Sequence, residues 1–247
     1  MGLVLGLPDH VSAFLFDLDG VLTPTAVIHN KAWTKTFNEF LQEHHPDQRP
    51  FDPVRDYNGF VDGKPREAGV RDFLTSRGIT LPEGTAADPP DRLTVNGLGN
   101  RKNVLLLELL SEGGLEPYPA SVEYLRRAKE AGIRRAVVSS SANTLQVITS
   151  TGLDKLLEAR VDGVTIRKRG LRGKPAPDTF LEAARELGVE PAHAAVFEDA
   201  LAGVAAGRAG GFYVVGVDRV GAEHAEDLRK NGADLVVPDL AVLLEDR

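Results

Sequence analysis

The sequence predicts an α/β fold: a doubly wound parallel sheet with a helical domain inserted near its start. Three observations carry this expectation. Short apolar runs end in polar clusters, at Ser12–Phe16 before Asp17-Leu18-Asp19-Gly20, Arg134–Val138 before Ser139-Ser140-Ser141, Ala194–Phe197 before Glu198-Asp199, and Gly211–Val217 before Asp218. Runs of that length bounded by turn signals read as buried strands. Helical patterns separate them at Ser121–Ala131, Asn143–Thr151, Pro177–Leu187 and Leu201–Arg208, and strand–helix alternation builds a parallel sheet whose ligands lie at the strand C-termini. Residues 25–114 break the alternation, with helical patterns at Asn30–Glu43, Pro65–Arg77 and Arg101–Glu112 and no convincing strand. We therefore expect a core of residues 1–24 and 115–247 and a helical domain of 25–114, with loops over 45–59 and 81–99.

Composition narrows the chemistry. At 247 residues the chain can bury a large core, and 42% hydrophobic with 26% charged residues is ordinary for a soluble globular protein. Its N-terminal residues are apolar but too short and uncharged for a secretory signal, and they lead into the first expected core strand. No apolar run approaches the roughly 18–20 residues that span a bilayer, so the expectation is a cytoplasmic protein, monomeric or weakly self-associating. A net charge of −7 provides no basic field for nucleic acid or an anionic membrane. The absence of cysteine excludes disulfides, thiolate catalysis and sulfur-ligated zinc, leaving oxygen ligands that favour a hard cation.

Asp17 and Asp19, one residue apart after a buried strand, suit phosphoryl transfer, in which one carboxylate attacks phosphorus and the other handles a proton. A solvated turn is the plainer alternative. An EF-hand is excluded, because its twelfth position requires Glu and holds Ile28. Gly97-Leu98-Gly99 lacks both the preceding strand and the third glycine of a dinucleotide loop. Singly, Ser139 and Glu198-Asp199 would read as helix caps and Lys174 as a surface lysine.

Taken together the motifs are recognisable. Phe16-Asp17-Leu18-Asp19-Gly20-Val21-Leu22-Thr23 resembles the first motif of the haloacid dehalogenase (HAD) superfamily; Ser139, Lys174 in Gly173-Lys174-Pro175, and Glu198-Asp199 resemble the second, third and fourth, in order. The resemblance implies a Rossmann-like HAD core with an inserted helical cap. It implies Asp17 as nucleophile and Asp19 as acid/base. Ser139, Lys174 and backbone amides near Leu18 and Gly20 would meet the charge of the transferring phosphoryl group. Mg²⁺ would be held by Asp17, Glu198, Asp199 and the Asp19 carbonyl.

An insertion directly after the first motif resembles the cap of the subgroup that includes β-phosphoglucomutases and small sugar-phosphate phosphatases, and cap closure would keep water from an aspartyl phosphate. Residues 25–33 resemble its hinge and first cap helix, with Thr25 at the substrate and His29 hydrogen-bonded to the acid/base Asp; a helix-surface histidine is the alternative. Arg66 resembles the cap arginine that grips the second phosphate, unless it is simply an exposed helix arginine, and Arg101-Lys102-Asn103 resembles another cap element, with Lys102 expected at the substrate. Ser140, Ser141 and Asn143 would assist from the motif II loop, although Ala142 stands where the subgroup typically carries a lysine; Pro24 and Ala200 likewise replace common polar residues. A dehalogenase has no use for Asp19, and none of Lys31, Lys64 or Lys102 is identifiable as a phosphonatase Schiff-base lysine. The expected activity is interconversion of β-glucose 1-phosphate and glucose 6-phosphate, with a sugar phosphatase as alternative and a silent phosphosugar-binding protein as the non-enzymatic one.

Overall fold

A computed structural model describes residues 3–112 and 114–245; residues 1–2, 113 and 246–247, which fall inside the domain spans expected above, lie outside the described residues. The chain divides into two compact units, Met1–Pro24 with Glu116–Arg247, and Thr25–Leu115.

The first unit opens with a short antiparallel hairpin, β1 (Leu3–Val4) and β2 (Leu7–Pro8), where the sequence was expected to run straight into the core sheet. The core sheet comprises β3 (Ala13–Phe16), β4 (Arg134–Val138), β5 (Ala159–Val161), β6 (Ala194–Glu198), β7 (Tyr213–Val217) and β8 (Leu235–Val237), in the order β5-β4-β3-β6-β7-β8. All neighbouring pairs are parallel, so every strand delivers its C-terminus to the same edge. β5 and β8, three residues each, escaped the sequence reading because they are too short to show a period. Two helices also went unread, α6 (Gly163–Arg169) and α9 (Ala222–Lys230). Asp162 signals α6, since its Oδ1 accepts from the amides of Val164 and Thr165 at 3.0 and 2.9 Å, as N-cap aspartates do.

The period of β3 sorts its two faces. Ala13 and Leu15 pack with Val196, Val214, Phe180 and Ala184 into one buried cluster, beneath α7 (Asp178–Leu187) and α8 (Leu201–Ala209). Phe14 and Phe16 point the other way. Phe16 stacks on Phe197 at 4.5 Å between centroids and Phe14 on Tyr124 at 5.5 Å, which seats α4 (Pro119–Glu130). Such ring pairs contribute about 0.5–1.5 kcal/mol each beyond area burial. Register then aligns the chemistry: Phe16 pairs with both Val137 and Phe197, which brings the next residues, Asp17, Val138 and Glu198, level at the central strand ends.

The second unit is helical: α1 (Thr25–His44), α2 (Arg66–Ser76) and α3 (Val95–Glu112). Trp33, Phe37, Phe40 and Leu41, at helical spacing on α1, bury one face against Phe51, Phe73 and Leu98, with Phe37 and Phe73 centroids 4.1 Å apart. Buried Asp56 ties the 45–59 loop to the C-terminal end of α2 through Arg77 Nη2 (2.6 Å) and braces the loop internally through Arg49 Nη2 (2.8 Å). The loop expected over 81–99 ends early, because α3 begins at Val95. Its glycines misled: a Cβ on Gly97 would lie 2.2 Å from the Arg92 carbonyl, so glycine here permits close chain packing.

Candidate active site

Asp17 follows β3 and is anchored by its amide to the Phe197 carbonyl at 2.9 Å. The next residues wind tightly. The Leu18 carbonyl accepts from the amides of Leu22 and Thr23, and the Gly20 amide donates to the Thr23 carbonyl at 2.7 Å. This last bond engages the Gly20 amide within the turn. Gly20 adopts φ +91°, and a Cβ there would lie 1.8 Å from Asp199 Oδ2, so glycine is required on both counts.

Lys174 is fully enclosed and sits at the centre of the cluster. Its Nζ lies 2.5 Å from Asp17 Oδ1, 2.5 Å from Glu198 Oε1 and 3.1 Å from the Val138 carbonyl. The other oxygen of buried Glu198 accepts from the Ala200 amide at 3.0 Å, so this carboxylate is held as a rigid counter-charge for the lysine. Ser139 Oγ reaches Asp19 Oδ2 at 3.2 Å and accepts from the Ser141 amide at 3.1 Å. The structure thus brings Asp17, Asp19, Ser139, Lys174, Glu198 and Asp199 to one edge of the sheet.

The electrostatics are unbalanced. Burial pushes the Asp17 carboxyl well above the ordinary carboxylate range; Lys174 opposes the shift while Glu198 and Asp19 reinforce it. For Lys174 burial disfavours the charge, but Asp17 and Glu198 outweigh it and hold the ammonium above the ordinary lysine range. Ligand oxygens of Asp17, Glu198 and Asp199 lie within 4.8 Å of one another. Three carboxylates against one ammonium leave uncompensated negative charge among oxygen donors, which fits a hard divalent cation.

Two glycines shape the site. A Cβ on Gly163 would lie 2.7 Å from the Ser140 carbonyl and 2.8 Å from the Ala142 amide, so glycine lets α6 close against the 139–143 loop. At Gly203 a Cβ would fall 1.7 Å from Glu198 Oε1. Gly203→Ala is therefore expected to displace Glu198 from Lys174 and lower kcat by about 10-fold or more, the scale of disturbed supporting contacts; unchanged kcat in a steady-state assay would refute that coupling. Asn143 and Ser141 support the same loop, the Asn143 amide donating to Ser141 Oγ at 3.2 Å.

The remaining expected residues belong to the helical unit. Thr25 opens α1 and is buried. Lys102 is buried too; its Nζ lies 3.1 Å from His29 Nδ1 and 5.0 Å from the Trp33 ring centroid. Because an ammonium only donates, this contact assigns the His29 proton to Nε2. Arg66 lies along Gly99 and pairs with Glu67 Oε1 at 3.3 Å. Arg101 instead pairs with Glu39 and Glu43 of α1, a structural tie.

A family model described as haloacid dehalogenase-like hydrolase matches residues 11–211. The chain belongs to that family. This HAD-like hydrolase is 56% identical to a β-phosphoglucomutase of Mycobacterium bovis over 247 residues, covering 98% of this chain and 94% of the relative. A Bacillus subtilis β-phosphoglucomutase is 33% identical over 227 residues, covering 92% and 89% of the two chains. Among solved structures, a Clostridium difficile β-phosphoglucomutase matches with TM-score 0.74 at 26% identity, covering 94% of this chain and 93% of that one. These similarities make the protein an enzyme of the HAD superfamily, with the superfamily's parallel-sheet core. No described helix is long and apolar enough to cross a membrane.

Proposed function

We propose that this protein interconverts β-glucose 1-phosphate and glucose 6-phosphate by phosphoryl transfer through Asp17. The observation that carries the reading is the buried Lys174 bridging Asp17 and Glu198 in a chain similar over nearly its whole length to a β-phosphoglucomutase. Asp17 Oδ attacks the phosphorus of a sugar bisphosphate while the bond from phosphorus to the sugar oxygen breaks. Asp19, as the acid, gives its proton to that departing oxygen. In the return half, Asp19 takes the proton of the accepting hydroxyl as that oxygen bonds to the phosphorus and the bond from phosphorus to Asp17 Oδ breaks, restoring the Asp17 carboxylate. Lys174 and Ser139 face the negative charge that spreads over the equatorial oxygens, fixed in place before the reaction.

Asp17, Asp199 and Glu198 would hold Mg²⁺, with the Asp19 carbonyl as the resemblance implies; the ion would supply Lewis-acid neutralisation of the phosphoryl oxygens. Arg66 and Lys102 are assigned to the phosphate that does not react, a role suited to a guanidinium fork and an enclosed ammonium. His29, Thr25, Leu18, Ser140, Ser141 and Asn143 complete the proposed set.

A second reading, hydrolysis of a small sugar phosphate, is favoured by Ala142, which lacks the positive charge the mutase subgroup typically carries there. The test is to supply β-glucose 1-phosphate, Mg²⁺ and a trace of glucose 1,6-bisphosphate and follow glucose 6-phosphate and free phosphate together. Glucose 6-phosphate without stoichiometric phosphate is the expected result. Phosphate alone would establish the phosphatase, and neither product would defeat both.

A further inference from the structure

Two donors outside the four motifs reach the acidic loops from a single short segment. Beyond β7, Asp218 turns the chain sharply: its Oδ1 accepts from the amides of Val220 and Gly221, both at 3.0 Å, an Asx-type turn. Arg219, thus placed, donates from Nε to the Gly20 carbonyl at 2.7 Å and from Nη1 to Asp239 Oδ2 at 2.9 Å. Its guanidinium carbon lies 3.6 Å from the centroid of the Tyr118 ring. One turn into α9, buried His224 places Nε2 2.8 Å from the carbonyl of Asp199; since a carbonyl only accepts, Nε2 carries the proton.

The two carbonyls belong to one corner. Gly20 follows Asp19 and packs so closely against Asp199 that a Cβ there would overlap its carboxylate. A surface arginine would wander among rotamers, but this one is only 20% exposed and is engaged on its face and on two of its nitrogens, which fixes a planar group. Pinning the Gly20 carbonyl holds the left-handed turn that carries Asp19, and pinning the Asp199 carbonyl holds the loop that presents its carboxylate.

We propose that Arg219 and His224 are positioning residues for phosphoryl transfer, setting the relative placement of Asp19 and Asp199 from the 218–224 segment. The inference rests on the reading of Asp19 as proton carrier and Asp199 as a cation-holding residue. Neither side chain acts on the reacting atoms; both act through backbone carbonyls.

The experiment compares wild type with Arg219→Ala, Arg219→Lys, His224→Phe and His224→Gln, measuring Mg²⁺ affinity by titration calorimetry and kcat and KM on β-glucose 1-phosphate with glucose 1,6-bisphosphate. Arg219→Ala and His224→Phe are expected to lower kcat and weaken Mg²⁺ binding by about 10- to 100-fold each, the usual range for groups that orient a metal site, with KM changed less than about 3-fold. Arg219→Lys and His224→Gln keep an N–H donor and are expected to recover part of both losses. Wild-type kcat and Mg²⁺ affinity with only a lowered melting temperature would overturn the proposal, as would equal losses in the conservative and non-conservative variants. Should the wild type turn over no β-glucose 1-phosphate, the substrate assignment fails, and the Mg²⁺ titrations with p-nitrophenyl phosphate hydrolysis still decide the positioning role.

Discussion

Asp17→Asn is expected to abolish turnover while melting no lower than the wild type in metal-free buffer. The amide has nearly the carboxylate's shape, so its contact with Lys174, at 2.5 Å in the parent, survives through the remaining carbonyl oxygen. It cannot act as the nucleophile, and a loss on the order of 10⁴-fold or more in kcat follows, comparable with removal of other covalent nucleophiles. Burial, helped by Glu198 and Asp19, raises the Asp17 carboxyl above its unfolded value despite Lys174. Between those values the folded chain binds more protons than the unfolded one, so stability falls as pH rises through that window. At neutral pH the neutral amide avoids this cost. Added Mg²⁺ should also raise the melting temperature less than in the wild type, because one of the proposed ligands is lost and ligand-linked stabilisation follows affinity. Thermal melts with and without Mg²⁺, beside single-turnover assays, check all three points. A variant retaining even a tenth of the wild-type rate would remove Asp17 from the chemistry.

Lys174→Met should cost both stability and rate. The lysine is the shared cation of two buried carboxylates, and deleting one partner of a buried ion pair typically costs about 3–5 kcal/mol because the remaining charge is stranded. Burial lowers the lysine's affinity for its proton, but Asp17 and Glu198 more than restore it. Its contribution is therefore complete throughout the neutral range and lost only as pH rises above the ordinary lysine range. Rate should fall by roughly 10²- to 10³-fold, the cost of removing one preorganised charge from a transition state. On the proposed ligand set, Mg²⁺ should recover part of the stability, since it would neutralise the same carboxylates, and none of the lysine's share of the rate. Urea unfolding at two Mg²⁺ concentrations separates these effects. A destabilisation below about 1 kcal/mol would mean that Asp17 and Glu198 do not depend on the lysine.

The pattern of strand ends carried much of the site. Asp17, Ser139 and Glu198-Asp199 each terminate an apolar run, and in a parallel sheet strand termini share one edge; that logic needs no coordinates. Lys174 was legible only through its motif, because nothing in Gly173-Lys174-Pro175 says that the ammonium is buried. The expected helix Arg101–Glu112 lengthens to Val95–Glu112, since glycines that oppose helix by propensity are tolerated where neighbouring backbone crosses. Local composition cannot show such a crossing.

By itself the sequence determined the α/β class, the helical insertion and the residue types at each central strand end, because strand period, helix period and turn chemistry are local properties. Only the tertiary structure decided that Glu198 clasps Lys174, that the Gly20 amide bonds to the Thr23 carbonyl, that Gly163 and Gly203 make room for the 139–143 loop and for Glu198, and that Arg219 and His224 reach Gly20 and Asp199. Arg219 and Gly20 stand 199 positions apart, and contacts across such spans depend on sheet register and close packing, which no local pattern of residues encodes.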